Sequence, residues 1–193
     1  MKKVLSHIFA LILCLSLCSC GGDAEEGYVS LDGKGARSDP YKLGDTINFK
    51  ALYEDWDNGQ CTSAPVDVSL KLIKSYYGDE VENLYLENNI YITGLASHQL
   101  LYFEVSLAGD YDASIYAENL FFISGLTKDM VEDGVRGTLC DKDLKGITNI
   151  YTGVKYNLYR ELGLGEEEDY VYATITFKDV VGKEHTIWVD ISP

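Results

Sequence analysis

The sequence predicts an all-β fold, a β-sandwich of about seven or eight short antiparallel strands with one or two short helices. Apolar and polar residues alternate in several short segments, which is the period of a half-buried strand. Glycine marks turns between these segments, whereas proline, with three residues, is scarce. The fifteen tyrosines, with the many valines, isoleucines and threonines, favour strands over helices.

Three segments alternate most regularly, and their apolar positions are Ile47, Phe49, Ala51 and Tyr53, then Val66, Val68, Leu70 and Leu72, and then Leu101, Phe103, Val105 and Leu107. Successive side chains of a strand point to opposite faces, so each apolar set should face one core. Shorter strands are predicted over residues 119–124 and 154–161. The clearest pair is Tyr170–Lys178 with residues 184–191, which a short turn joins into a hairpin.

Three further expectations complete the fold prediction. Trp188 alternates out of phase with Ile187 and Val189, so we expect it to cover the second face of the last strand. Helical periodicity is confined to residues 78–86 and, more weakly, to residues 127–132. The length left after the N-terminal segment fits a single domain with a sizeable core.

The N-terminus has the pattern of a secretory signal over residues 1–19. Lys2 and Lys3 form a positive head, and residues 4–17 are almost wholly apolar. A membrane-spanning helix needs about 20 apolar residues. This shorter run therefore predicts a cleaved signal rather than a transmembrane anchor.

Three cysteines crowd the end of this signal, in the stretch LCLSLCSCGG. Cys14 and Cys18 each follow a leucine, which is too bulky for the small-residue pocket beside a signal-peptidase cut. Cys20 follows a serine and has Leu17 three positions before it, so the stretch resembles a bacterial lipobox, in which the cysteine is diacylated and becomes the new N-terminus. We predict lipidation at Cys20 and a flexible acidic tether over residues 20–35. The alternative is an ordinary secretory cut beside a free cysteine.

The net charge excludes one class of partner. Loss of residues 1–19 removes two lysines and no acid, which takes the formal charge from −15 to −17. Phosphate backbones repel so acidic a chain, so nucleic-acid binding is excluded. Anionic headgroups repel it as well. Membrane attachment therefore depends on the lipid at Cys20, and the predicted location is the extracytoplasmic face of a bacterial cell membrane.

Few reactive side chains remain for the folded domain. Cys61 and Cys140 can pair outside the cytoplasm, so one prediction is a disulfide between them and the alternative is two separate buried thiols. His98 and His185 fall on different predicted elements and are too few for a zinc site. No serine lies in a GxSxG turn and no glycine-rich phosphate loop follows a strand. No catalytic residue is therefore predicted.

Acidic clusters recur in predicted loops at residues 54–57, 110–112, 141–143 and 166–169. Loop carboxylates suit calcium, which binds six to eight oxygen ligands. The weak calcium candidates are Asp55, Asp57, Asp110 and Asp112. The spacing after Asp55 fails the helix-loop-helix calcium pattern, because Gly59 and Val66 stand where ligands are required. We favour a solvated acidic rim, and no metal or cofactor is predicted.

Trp56 lies among these acids in the stretch EDWDNG, which we predict to be a loop over residues 54–59. A tryptophan between carboxylates resists full burial because its neighbours keep their water, and a partly exposed ring is a typical binding anchor. Asp55, Trp56 and Asp57 are therefore the binding candidates. The alternative is that Trp56 folds back over the end of the sandwich.

A family resemblance rests on three stretches, namely ARSDP with LGDT within residues 36–46, IKSYYGDEV at residues 73–81 and IYTG at residues 150–153. They resemble a family of extracellular immunoglobulin-like domains of unknown function, common on lipoproteins of Gram-positive bacteria and similar in fold to immunoprotective extracellular antigens. In that family an R-S-x-P and G-D-T opening precedes the first strand, a G-D-E-A turn starts a helix, and an L-Y-x-G turn precedes the late hairpins. Val81 and Ile150 replace the family's alanine and leucine. The resemblance spans most of residues 36–193, implies an immunoglobulin-like sandwich there, and implies no known enzyme activity.

Three functions remain as hypotheses. The leading one is a lipid-anchored, extracytoplasmic binding or interaction module that presents loops to an unknown protein or envelope partner. The second is a carbohydrate-binding module, which requires several coplanar exposed aromatic rings. The third is a carboxylate-based hydrolase, because two acids in a cleft leave no sequence motif.

Overall fold

The computed structural model describes residues 34–57, 60–88, 90, 97–111, 114–130, 139–164 and 170–193. These residues form eleven strands and two helices, so the predicted all-β class is confirmed. The strands are β1 (Tyr41–Lys42), β2 (Thr46–Asp57), β3 (Gln60–Tyr77), β4 (Ser97–Ala108), β5 (Ile115–Tyr116), β6 (Phe122–Thr127), β7 (Leu139–Cys140), β8 (Asn149–Ile150), β9 (Lys155–Leu164), β10 (Tyr170–Lys178) and β11 (Glu184–Asp190). The helices are α1 (Asp79–Glu87) and α2 (Ala117–Leu120).

Two larger sheets and one small one organise these strands. The five-stranded sheet has the order β2-β3-β4-β9-β7, the four-stranded sheet has the order β1-β11-β10-β6, and β5 pairs with β8. Among the described strands, neighbours are antiparallel except for β1 and β11, where Tyr41 lies opposite Val189 in a parallel pair. The expectation of antiparallel strands is thus corrected at this edge, where a short segment at the start of the domain runs beside its last strand.

The two larger sheets share one apolar core. The predicted inward residues of β2, β3 and β4 are all buried, and so are Ile187 and Val189 on β11. Phe49 on β2 touches Phe177 on β10 across the core, with ring centroids 4.2 Å apart. The period-two alternation therefore predicted the buried faces of these strands correctly.

The C-terminal hairpin is confirmed as β10 and β11, which pair from Tyr172 opposite Asp190 to Lys178 opposite Glu184. Trp188 lies on the outer face of β11, as its phase predicted. Its ring makes an edge contact with Tyr172, at a centroid distance of 6.0 Å.

The two predicted helices have different outcomes. The prediction for residues 78–86 is confirmed by α1, whereas residues 127–130 are not helical, because Thr127 ends β6 and a turn follows. The predicted strand at residues 119–124 is displaced, since α2 occupies its start and β6 begins at Phe122. Neither helix in the described parts of the chain is long and apolar enough to cross a bilayer.

Helix α1 covers part of the outer face of the five-stranded sheet. It starts after Gly78, whose φ of +47° is a conformation that glycine adopts readily. Val81 and Tyr85 of the helix then pack on Leu100 and Cys140, forming a second, smaller core. This packing fixes the outer surface of the sheet around the first residues of β4.

The hairpin of β2 and β3 corrects the predicted loop at residues 54–59. Strand β2 continues to Asp57, which lies opposite Gln60 of β3. Strand β3 pairs with β4 only from Asp67 onward, so the hairpin tip extends past the sheet as a two-stranded ribbon. Acidic residues are compatible with a strand here because ribbon backbones satisfy each other's hydrogen bonds while side chains stay solvated. We call the described part of residues 54–66 the ribbon.

Candidate binding surface

Three connections between strands gather at one end of the molecule. Residues 109–121 join β4 to β6, residues 141–154 lead from β7 to β9, and residues 179–183 join β10 to β11. The ribbon extends from the same end, because β3 leaves the sheet where β4 finishes. We call the described residues of these three connections, together with the ribbon, the apical end.

Hydrogen bonds join these segments to one another. The Thr152 hydroxyl donates to the Tyr111 carbonyl at 2.8 Å, which links the first two connections. Lys178, at the start of the third connection, donates to Glu54 of the ribbon at 2.9 Å. The pairing of β5 with β8 adds a short sheet between the first two connections. The apical end is therefore a connected surface rather than a set of independent loops.

Exposed apolar side chains are concentrated at this end. Of the six large apolar side chains that stand exposed in the described residues, five belong to the apical end and Leu86 of α1 is the sixth. The five are Tyr116, Tyr151, Val154, Val180 and Val181. Scattered exposed apolar residues need no explanation, but a group confined to one end of a domain indicates an interaction surface.

The turn at residues 179–183 is held by one carboxylate. Asp179 Oδ1 accepts hydrogen bonds from the N–H groups of Val181 and Lys183, each at 2.9 Å. Its Oδ2 lies 2.7 Å from Nε2 of His185, which is 1% exposed. The hydrogen bond from His185 and then those two backbone bonds lower the pKa of Asp179 below its usual value. His185, one of the two histidines considered from the sequence, thus supports the turn that displays Val181.

A carboxylate-lined cleft is bordered by the ribbon, α2 and the adjoining ends of β10 and β11. The cleft has a volume of about 180 Å³, and its walls include Glu54, Glu118 and Glu184. Glu118 accepts from the buried Arg160 at 3.2 Å, and Glu54 is paired with Lys178. Two of the three carboxylates of this cleft are therefore paired with cations.

The structure brings two of the calcium candidates, Asp55 and Asp110, to the apical end. Burial raises the pKa of the Tyr111 hydroxyl most, followed by the neighbouring Tyr53 and then by the charge of Asp55. Asp55 therefore lies close to Tyr111. Asp110 precedes Tyr111 and is exposed. Within the described residues no group of three or more metal-ligating side chains comes together.

Several sequence candidates lie partly or wholly outside the described residues. The lipidation candidate Cys20 and the calcium candidate Asp112 are not among the described residues. The backbones of Trp56 and Asp57 lie in β2, where Trp56 is opposite Cys61, but their side chains are not described. The same holds for His98, whose backbone lies in β4.

The predicted disulfide between Cys61 and Cys140 is corrected by the fold. Cys61 is exposed on the ribbon and Cys140 is buried on β7, and neither forms a disulfide. The registers align Cys140 with Tyr159 and, through Tyr102, with Lys74 of β3. Cys61 lies thirteen residues before Lys74 on β3, a separation of roughly 40 Å at the rise of a strand, whereas bonded cysteines need Cα atoms within about 7 Å.

A larger concavity, of about 390 Å³, lies on the outer face of the five-stranded sheet. Ser69 and Ala108 contribute to its lining, and Lys50 is paired with Asp67 at 3.2 Å beside them. Small and charged residues on one face are the ordinary pattern of an antiparallel sheet with a solvated side. We therefore place the candidate surface at the apical end.

The sequence reasoning missed most of the exposed apolar group. Tyr151 was part of the IYTG turn and Val180 and Val181 lie in the hairpin turn, so turn position combined with a large apolar side chain is the signal that could have found them. Tyr116 carried no such signal, because β5 is too short for a visible alternation. The acidic stretch at residues 54–57 was found, although it belongs to a strand.

No protein-family model, no curated protein and no solved structure matches the sequence or the fold.

Proposed function

We propose that this chain is a lipid-anchored binding module of the bacterial cell envelope, an immunoglobulin-like sandwich that presents its apical end to an extracytoplasmic partner. The anchor is the acylated Cys20, and the acidic segment that follows it tethers the domain to the membrane surface. Support for the anchor comes from Leu17 and Ser19, which precede Cys20 as the corresponding residues do in a lipobox.

The strand order supports the immunoglobulin-like sandwich. In immunoglobulin domains, strands A, B, E and D form one sheet and strands C, F and G form the other. If β4, β6, β7, β9, β10 and β11 are strands B to G in chain order, the observed neighbours β4-β9-β7 become B-E-D and β6-β10-β11 become C-F-G. Strands β2 and β3 then form an additional hairpin beside strand B, at the position that strand A occupies in immunoglobulin domains.

The same assignment gives the apical end a functional meaning. Residues 109–121 become the B–C connection, residues 141–154 the D–E connection and residues 179–183 the F–G turn. Immunoglobulin-like domains commonly bind through loops gathered at one end of the sandwich, because a rigid scaffold fixes their positions. The concentration of exposed large apolar side chains in these three connections, which hold five of the six among the described residues, is the observation that carries the proposal.

Site-specific crosslinking tests the proposal. A photo-crosslinking amino acid replaces Val181 (83% exposed), Tyr151 (49%) or, as the matched control, Leu86 (54%) in the full chain expressed in its host. Irradiation should give the same discrete adduct from the two apical positions and none from Leu86. Adducts from Leu86 alone, or none from either apical position, would place the contact elsewhere or remove it.

A further inference from the structure

Two exposed tyrosines lie beside each other's segments at the small sheet of the apical end, one in β5 and one directly after β8. In the register of β5 and β8, Ile115 lies opposite Ile150 and Tyr116 lies opposite Asn149. Both isoleucines are fully buried, so Tyr116 and Asn149 face away from the core. Tyr151 follows directly after β8 and is also exposed.

The backbone under both tyrosines is fixed by other tyrosines. The Tyr116 N–H donates to the hydroxyl of Tyr53 at 3.3 Å, and Tyr53 is 2% exposed. The Tyr151 N–H donates to the hydroxyl of Tyr156 at 3.1 Å. Tyr53 in turn packs edge-on against Tyr111, with ring centroids 5.2 Å apart. Two solvent-exposed rings are thus mounted on an ordered frame, and preorganisation of this kind reduces the entropic cost of binding.

The turn after Tyr151 is fixed as well. Gly153 has a φ of +75°, and its N–H donates to the carbonyl of Leu107 at 2.9 Å. The hydrogen bond from Thr152 to the Tyr111 carbonyl, given above, holds the same turn from its other side. The position of Tyr151 therefore follows from contacts with two other segments.

The polar groups beside these rings suit hydroxyl-bearing ligands. Asn149 is exposed opposite Tyr116, and its amide offers both donors and an acceptor. Asp110, exposed beside Tyr111, adds carboxylate acceptors on the neighbouring connection. An aromatic face packs against the C–H face of a sugar ring, while amide and carboxylate groups bond its hydroxyls.

The net charge of the chain restricts which glycans can bind. The chain carries a formal net charge of −15, so glycans with uronate or phosphate groups are repelled. We propose that Tyr116, Asn149 and Tyr151 form a binding site for an uncharged glycan chain of the cell envelope. The proposal rests on the binding function proposed above and names its ligand class. A protein partner at the same end is the competing occupant, and the test below separates the two.

A glycan array tests this site directly. The detergent-purified full chain is applied to immobilised uncharged oligosaccharides, including N-acetylglucosamine and glucose oligomers, and to uronate-bearing and phosphate-bearing glycans. We expect binding to uncharged glycans only. Tyr151→Ala and Tyr116→Ala should each weaken it by about tenfold or more, the loss expected for an interface anchor. Tyr151→Phe keeps the ring and should retain most of the binding.

One control variant completes the experiment. Leu86→Ala, on α1 and away from the apical end, should leave glycan binding unchanged. Absence of binding to every uncharged glycan, or binding that both tyrosine variants retain in full, overturns the glycan site. In that case a protein adduct in the crosslinking experiment would still uphold the binding function, and its absence would remove both.

Discussion

A buried glutamine joins the two sheets, and its replacement gives the sharpest stability test. Gln99 on β4 is fully buried, and its side-chain oxygen accepts from the Tyr170 N–H of the opposite sheet at 2.8 Å. Its amide nitrogen donates to the Tyr170 carbonyl at 3.0 Å and to the hydroxyl of Ser75 at 2.7 Å. Gln99→Met keeps most of the side-chain volume and removes these three hydrogen bonds.

The expected loss follows from the groups left behind. The Tyr170 N–H and the Ser75 hydroxyl both lose this partner at buried positions, and each such loss costs about 1–3 kcal/mol. The Tyr170 carbonyl keeps the hydroxyl of Tyr77 at 3.4 Å. We therefore expect the free energy of unfolding to fall by about 2–6 kcal/mol, which lowers Tm by roughly 5–20 °C in a domain of this size.

Chemical and thermal denaturation of the purified domain measure this loss. Asn48→Met is the matched control, because it places the same side chain on the exposed face of β2 and should change stability by about 0.5 kcal/mol or less. If Gln99→Met melts within about 2 °C of the parent protein, the hydrogen bonds to Tyr170 do not hold the sheets together.

Three further predictions address the anchor, the thiols and the hairpin turn. Fatty-acid labelling should be lost in Cys20→Ala and kept in Cys18→Ser, and labelling that survives Cys20→Ala would refute the lipid anchor. Without reductant, Cys61 should alkylate in the folded protein, whereas Cys140, whose pKa burial raises to about 12, should react only on unfolding; an intact-mass shift for a disulfide would contradict this. The lowered pKa of Asp179 means that its stabilisation is lost as pH falls below 3.8, so acid unfolding should be steeper in the parent than in Asp179→Asn.

Sequence alternation predicted the strands that bury one face and failed where burial does not alternate. The alternation from Ile47 to Tyr53 on β2 was visible in the sequence because one side of that strand faces the core. Strand β6, in contrast, is buried at five consecutive positions, so no period of two is visible there, and α2 precedes it with only one turn. The role of Gln99 was equally hard to predict from the sequence, because a polar residue just before an alternating segment does not reveal a contact with the opposite sheet.

The candidate surface was harder to predict from the sequence than the fold was, for a related reason. Acidic residues at positions 54–57 suggested a loop because charge usually accompanies solvent, yet β2 continues through them in register with β3. Whether a polar segment is a ribbon depends on a partner strand, which local composition does not reveal. The disulfide prediction failed similarly, since the placement of Cys61 and Cys140 along one sheet is set by register.

The ribbon explains how an acidic strand and the exposed tyrosines belong to one surface. Among the β2 side chains whose burial is described, Tyr53 is the last buried apolar one; its ring packs on Tyr111 while its hydroxyl holds the backbone of Tyr116. Asp55 is two residues further along β2, on the same face, and its charge reaches Tyr111. Residues of a strand keep fixed spacing, so the packing that buries Tyr53 also sets the position of Asp55 relative to Tyr116. A ligand that contacts the tyrosines therefore meets the acidic ribbon at a distance fixed by the core.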